Sequence, residues 1–369
     1  MRSLPSSALP TARPIRLRRR RSILGRKDAP SRLSEEEEGV ARDRGLIFAR
    51  TIETDGRPTA IDWTQGRAWA AEAPGQFLWL HLDRTVREVV KWLGDANGAG
   101  LGLSEATVEA LTSDENRPRA FREADTLVTI LRGINFNPDA QPEDMVAMQL
   151  WCDGVRVVTL RRQRLQTPFD VLATMERGRG PHTAGDLFTE LVEQTVAKMN
   201  RSIVDMNDRI DELEEVDDDF PVETILTTIA DIRRNCLALK RYMSPQHEAL
   251  LQITRDPPAW LSETNRRDIR ETIDRLSRYI EDLDVSKESA LVIQDDINNR
   301  ATAQSNKTIY MLSIIAAIFL PLSFFTGLLG INVGGIPGTN SGDGFWITVA
   351  ILAGVLGVQL LIFRRLRWL

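Results

Sequence analysis

The C-terminal 60-odd residues constrain this chain more than any other segment. No charged residue lies between Lys307 and Asp343. Inside that gap, IYMLSIIAAIFLPLSFFTGLL (Ile309 to Leu329) is about 21 mostly apolar residues, the length that crosses a hydrocarbon core of roughly 30 Å. A second apolar run, FWITVAILAGVLGVQLLIF, extends from Phe345 to Phe363. A buried hairpin in a soluble core rarely carries two uncharged runs of spanning length, so the chain reads as an integral membrane protein. Arg300 and Lys307 precede the first run, Arg364, Arg365 and Arg367 follow the second, and the stretch between holds no Lys or Arg. That asymmetry puts both termini in the cytoplasm of a multi-pass protein of the cell (inner) membrane. Trp346 and Trp368 sit at the edges of the second run, where interfacial aromatics belong.

The remainder excludes several functions. The basic start has no apolar h-region, so no signal peptide is expected. A formal net charge of -5 is mild and argues against a nucleic-acid partner. Two cysteines, Cys152 and Cys236, make no disulfide framework and contain no CxxC pair, which fits a reducing compartment. There is no GxxxxGK, HExxH or GxSxG, so neither an enzyme nor a cofactor is expected.

Residues 1–44 combine a Pro/Ser-rich start, RLRRRR and EEEE, and read as a disordered extension. In the expected domain 45–182 a period of two dominates from Gly45 to about Arg162, with expected strands LIFARTI, QFLWLHL, TLVTILRGINF, MVAMQLWCD and VRVVTLRR. The last two are joined by Asp153-Gly154, a hairpin signal. Helices are expected near Val86–Leu93 and Ser104–Leu111, the second opened by Ser104 with Thr107. This is a compact α/β domain.

Residues 183–305 carry helical stripes. Val192, Val196, Met199, Ile203, Met206, Ile210 and Leu213 alternate spacings of four and three. Ile225, Ile229, Ile232, Cys236, Leu239 and Met243 form a second stripe, expected to stop near Ser244-Pro245. Ile269, Ile273, Leu276, Ile280 and Leu283 form a third. With no proline between Pro258 and Pro321, this third helix is expected to run unbroken from about Leu261 into the membrane, roughly 100 Å at 1.5 Å per residue. The stripes read as core between helices. Cys236 on its stripe and Cys152 in its strand read as packed thiols. Asp217, Asp218 and Asp219 close an acidic run that reads as a solvated helix end, with a cytosolic metal-attracting surface as the sharper alternative.

The membrane segment, 306–369, carries the function. Two helices cannot enclose a wet path, so transport requires several copies. Asn306, Ser313, Ala316, Ser323, Gly327 and Gly330 recur at helical spacing and, with Ile309, Leu312 and Leu320, form one stripe. Polar groups in a span face protein interior or a wet cavity; packing between helices through small residues is the other reading. The glycines of GLLGINVGGIPG end the helix, and Asn332 then offers an amide oxygen at the outer mouth. Neutral acceptors of this kind suit the water shell of a hydrated cation. A dehydrated zinc ion would want N or S ligands, and this path has no His, Cys, Asp or Glu. Asp343 is the sole acid between the spans, so the mouth concentrates cations only modestly.

These residues resemble the CorA-type family of divalent-metal transporters. The likeness rests on IFLPLSFFTGLLGIN, the two C-terminal spans and the basic tail. Gly330-Ile331-Asn332 matches the family's Gly-x-Asn signature. The middle residue is usually Met in the magnesium branch. Ile331 and the extension GINVGGIPG are similar to the zinc-transporting ZntB branch, as are DENRPRAF, LRGINFNP, PEDMVAMQLWCDG and RVVTLRRQRL. The resemblance covers about Gly45 to Leu369. It implies an α+β membrane protein: a funnel-shaped homopentamer with a cytoplasmic α/β domain, a long stalk and pore helix, and a peripheral second span. By position, Asn306, Ile309, Leu312, Ala316, Leu320, Ser323 and Gly327 would line the pore, with Gly330, Ile331 and Asn332 at its outer mouth. Partners would be other copies of the chain and membrane lipid. The expected activity is transport of divalent cations, zinc foremost, with proton-coupled uptake as one mode. A magnesium/cobalt channel of the same family and a non-conducting coiled-coil scaffold are the alternatives.

Overall fold

The computed structural model describes residues 44–96, 100–114, 117–138, 140–141, 143–215, 221–331 and 342–366. The N-terminal extension and the acidic Asp217, Asp218 and Asp219 lie outside them. Two compact units emerge. One comprises residues to Ile203 with Leu237–Glu281, the other Val204–Cys236 with Asp282–Leu369.

The first unit is built on a seven-stranded sheet: β1 (Leu46–Ile52), β2 (Pro58–Ala60), β3 (Phe77–Asp83), β4 (Arg119–Glu123), β5 (Thr126–Gly133), β6 (Val146–Cys152) and β7 (Arg156–Arg161). Their order is β2-β1-β3-β7-β6-β5-β4, and every pair is antiparallel except β3 with β7. Helices cover both faces. Short helices α1 (Trp63–Ala68), α2 (Arg87–Gly94) and α3 (Glu105–Thr112) contribute Trp63, Val89, Trp92, Leu93 and Leu111 to a core shared with Leu78, Leu80 and Leu82 of β3. The other face packs α4 (Gln166–Glu176) and α5 (Ala184–Ala197). Covered on both sides, β3 and β6 are buried almost end to end, His81 and Gln149 included, where a period of two would bury alternate residues only.

Local chemistry sets the boundaries. Ser104 caps α3 by accepting from the Thr107 amide at 3.2 Å, as expected. Between β6 and β7, Asp153 Oδ1 accepts from the amides of Val155 and Arg156 at 2.9 and 2.6 Å. Gly154 follows at φ +89°, and a Cβ there would lie 2.6 Å from the Trp260 ring, so glycine is required twice over.

His81 of β3 is fully buried. Its Nδ1 lies 2.8 Å from Thr159 Oγ1, and Phe48 and Phe169 flank the ring. Burial, and then the Arg161 guanidinium, hold its pKa well below the usual imidazole range. Below about pH 6.5 the unfolded chain therefore takes up a proton that the folded chain refuses, and stability falls as pH drops. Unfolding free energy should decline between about pH 7.5 and 5.5, by up to about 1.4 kcal/mol per pH unit from this residue, and the thermal midpoint of the full chain should fall with it. His81→Asn, which keeps a polar atom near the Nδ1 position, should flatten that decline even though it lowers the midpoint at neutral pH. An unchanged slope would place the acid sensitivity elsewhere.

The long helices are α6 (Met199–Glu214), α7 (Val222–Arg255), α8 (Glu263–Leu329) and α9 (Gly344–Arg365). The three sequence stripes are buried almost throughout, with Leu213 and Ile280 half-buried. One expectation fails: α7 does not stop at Ser244-Pro245 but continues to Arg255. The stripe itself continues through Met243, Gln246, Leu250 and Ile253, all buried. Packing of that second half outweighs the single backbone hydrogen bond that Pro245 removes.

In the second unit, Met206, Ile210, Ile225, Ile229, Ile232, Cys236, Leu283 and Ala290 are buried. Ser286 Oγ donates at 2.7 Å to Asn207 Oδ1, and Arg233 donates at 2.9 Å to Gln294 Oε1. Cys236 Sγ lies 3.6 Å from Met206 Sδ, and burial pushes its thiol pKa up to about 11. Burial raises Cys152 as well. Both are protonated packing groups, as expected, since neither supplies thiolate at neutral pH.

Candidate functional site in the membrane hairpin

Helix α8 is unbroken for 67 residues and passes through Pro321. Among the described residues, its C-terminal part and α9 are the two helices long and apolar enough to cross a bilayer. Both make this a membrane protein in which the outer part of the second unit is a helical hairpin.

Burial divides α8 into faces. Ile314, Ala317, Ile318, Pro321, Leu322 and Phe325 are half-buried, at alternating spacings of three and one. On α9, Gly344, Thr348, Leu352, Val355, Leu356 and Gln359 are half-buried and Phe363 is buried. These stripes form the hairpin's seam, and Gln359 Nε2 donates across it to the Ala317 carbonyl at 3.3 Å. At 100° per residue, the stripe through Ala316, Leu320, Ser323 and Gly327 lies roughly 180° from the seam.

Of the sequence-expected positions, Ile309, Leu312, Ala316, Leu320, Ser323 and Gly327 fall on that outward side, and Asn306 lies roughly 90° from the seam. Asn306, Ile309, Leu312, Ala316, Leu320, Ser323 and Gly327 are all exposed in the single chain. Nothing lies within 4 Å of where a Gly327 Cβ would be. The stripe's polar groups are undemanding: Ser313 Oγ donates at 2.8 Å to the Ile309 carbonyl one turn back, leaving its lone pairs outward. The helix ends at Leu329, with the Gly330 amide donating at 3.0 Å to the Thr326 carbonyl. Gly330 and Ile331 are exposed beyond it, while Asn332 lies outside the described residues.

No group of three or more His, Cys, Asp or Glu is placed to hold a metal ion among the described residues. The outward face of α8 offers hydroxyl and amide oxygens, small residues and leucines. Such a surface can contact the water shell of a cation but cannot replace it with a tight carboxylate or thiolate cage.

Sequence reasoning missed Gln359. Its signal was present, because glutamine is out of place in an otherwise apolar and small-residue span. What it pairs with required the structure.

Comparisons with known proteins agree with this architecture. A family model described as CorA-like Mg2+ transporter protein matches residues 74–365. The divalent cation transporter CmaX of Pseudomonas aeruginosa is 37% identical over 329 residues, 89% of this chain and 98% of that protein. The zinc transport protein ZntB of Pectobacterium atrosepticum is 32% identical over 293 residues, 79% of this chain and 88% of that one. The solved structure of full-length CmaX superposes with a TM-score of 0.76 at 36% identity, covering 88% of this chain and 98% of that one.

Proposed function

The chain belongs to the CorA-like transporter family, and from that premise we propose that it carries divalent cations, zinc foremost, across the cytoplasmic membrane. The working unit is a homopentamer whose pore is walled by the outward face of α8. Both termini lie in the cytoplasm, and α9 sits at the periphery against lipid.

One observation carries the reading: the hairpin uses one face of α8 for α9 and leaves the opposite, small and polar face uncovered. A lone hairpin would expose Ser313 and Ser323 to lipid, where polar groups are expensive. Around a closed ring of copies the same face meets water. Neutral acceptors at the mouth, Asn332 among them, pass the ion with much of its hydration shell.

No nucleotide-binding motif accompanies the spans, so the gradient and the membrane potential supply the drive. At about 2.3 kcal/mol per charge per 100 mV, a divalent ion gains roughly 4.6 kcal/mol on entering a cell held near -100 mV, which favours uptake. Purified protein in liposomes should carry zinc-65 well above empty vesicles, with metal and pH gradients set independently to expose any proton coupling. Magnesium flux without zinc flux would move the assignment to the magnesium/cobalt alternative. A monomer with no flux of either ion would leave a membrane-anchored scaffold.

A further inference from the structure

Proline has no amide N–H, so a proline within a helix leaves the carbonyl four residues earlier without its usual donor. In α8 that proline is Pro321 and the carbonyl belongs to Ala317. Water would serve such a carbonyl in a soluble helix. Inside a bilayer there is none, and a neighbouring helix must supply the donor. The Ala317 carbonyl is the one that Gln359 Nε2 reaches from α9.

The rest of the amide sharpens the point. Gln359 Oε1 is buried with no hydrogen-bond partner among the described residues. An acceptor without a donor is a cost. A leucine or methionine would fill the same space without it, so the side chain is explained by what its N–H does. The orientation is not interchangeable, because a carbonyl can only accept.

We propose that Gln359 is a positioning residue for the pore wall: it occupies the carbonyl that Pro321 vacates and fixes the bend of α8 at that turn. Leu320 precedes the proline and Ser323 follows it by two residues, both on the outward stripe. Whatever angle α8 adopts at Pro321 is therefore passed to the pore face and to Gly330 beyond it. Gln359 touches no ion; it acts through α8. Its pairing also ties the second span to the first at a fixed depth, a task that apolar side chains along a smooth seam do poorly.

A double-mutant cycle tests this. Gln359→Met keeps length and volume and removes the donor. Pro321→Ala restores an N–H at 321, so the Ala317 carbonyl regains an intrahelical partner. In full-length protein in nanodiscs, Gln359→Met should lower the thermal midpoint and cut maximal flux by about three- to ten-fold, the range of interhelical hydrogen bonds in membranes. The half-saturating ion concentration should not move. In the Pro321→Ala background the same change should alter neither readout, and Gln359→His, which keeps a ring N–H, should recover part of the loss at Pro321. Equal effects of Gln359→Met in both backgrounds, or none in the native one, would overturn the proposal. Should Gln359→Met fail to assemble, the proposal requires the double variant to assemble. The flux arm rests on the transport reading and the thermal arm does not: an absence of flux in every variant would sink transport while the cycle of midpoints still decides the latch.

Discussion

Asn332→Ala should abolish divalent-ion flux in reconstituted vesicles while the oligomer forms normally. Asn332 ends the Gly330-Ile331-Asn332 triplet just past the helix terminus at Leu329. On the proposed reading its amide oxygen is a neutral acceptor at the outer mouth, and an alanine would remove it from every copy at once. A net hydrogen bond is worth roughly 1 kcal/mol. In the proposed homopentamer five lost together would remove about 5 kcal/mol from the site that first meets the ion, or between about three and four orders of magnitude in occupancy at fixed concentration. Even a fraction of that leaves flux at least about a hundred-fold down. Assembly should survive, since the residues of the seam between α8 and α9 and of the buried stripes of α6, α7 and α8 are left unchanged. Size-exclusion chromatography with light scattering checks assembly, and zinc-65 uptake checks flux. Asn332→Asp separates two accounts of the mouth. If the ion keeps its water, a carboxylate should tighten half-saturation and slow turnover. If the ion sheds its water there, a carboxylate can replace part of the shell, so half-saturation should tighten without slower turnover. Native flux in Asn332→Ala would remove the outer-mouth role altogether.

Much of the architecture was legible because its signals are local. The capping of α3 by Ser104 and the Asp153-Gly154 turn each follow from residues within a few positions of one another. Continuity of α8 followed from the absence of proline between Pro258 and Pro321. The misses are elements whose reason lies elsewhere in the fold. Strand β4, RAFRE, is a polar edge strand that exists by pairing Arg119–Glu123 with Thr126–Ile130. Helix α1 is six residues, too short to show a period, and is held by a capping box between Asp62 and Gln65. Pro245 reads as a stop, yet α7 passes through it because Gln246, Leu250 and Ile253 are buried beyond it. In the membrane hairpin the outward stripe was readable from spacing. The seam was not, because the orphan carbonyl of Ala317 and the donor of Gln359 are 42 residues apart and have no meaning singly.

That division of faces makes the second large prediction, which sets one substitution against its own control. Ala316→Phe and Ala350→Phe add the same side chain to two exposed positions in the two spans. Phenylalanine is favourable at the centre of a membrane helix, so neither change should hinder insertion. Ala316 lies on the face of α8 opposite the seam; Ala350 lies roughly 180° from the seam on α9. If α8 walls the pore, Ala316→Phe brings one ring per copy into the path, narrows it and dries it, and flux should fall at least about a hundred-fold. Ala350→Phe meets lipid tails and should leave flux within about two-fold of native. The contrast discriminates because general damage to the hairpin would strike both variants alike. Comparable losses in the two would show that bulk anywhere on the hairpin is harmful, and the outward stripe would lose its claim to the pore. Native flux in Ala316→Phe with a blocked Ala350→Phe would reverse the roles of the two spans.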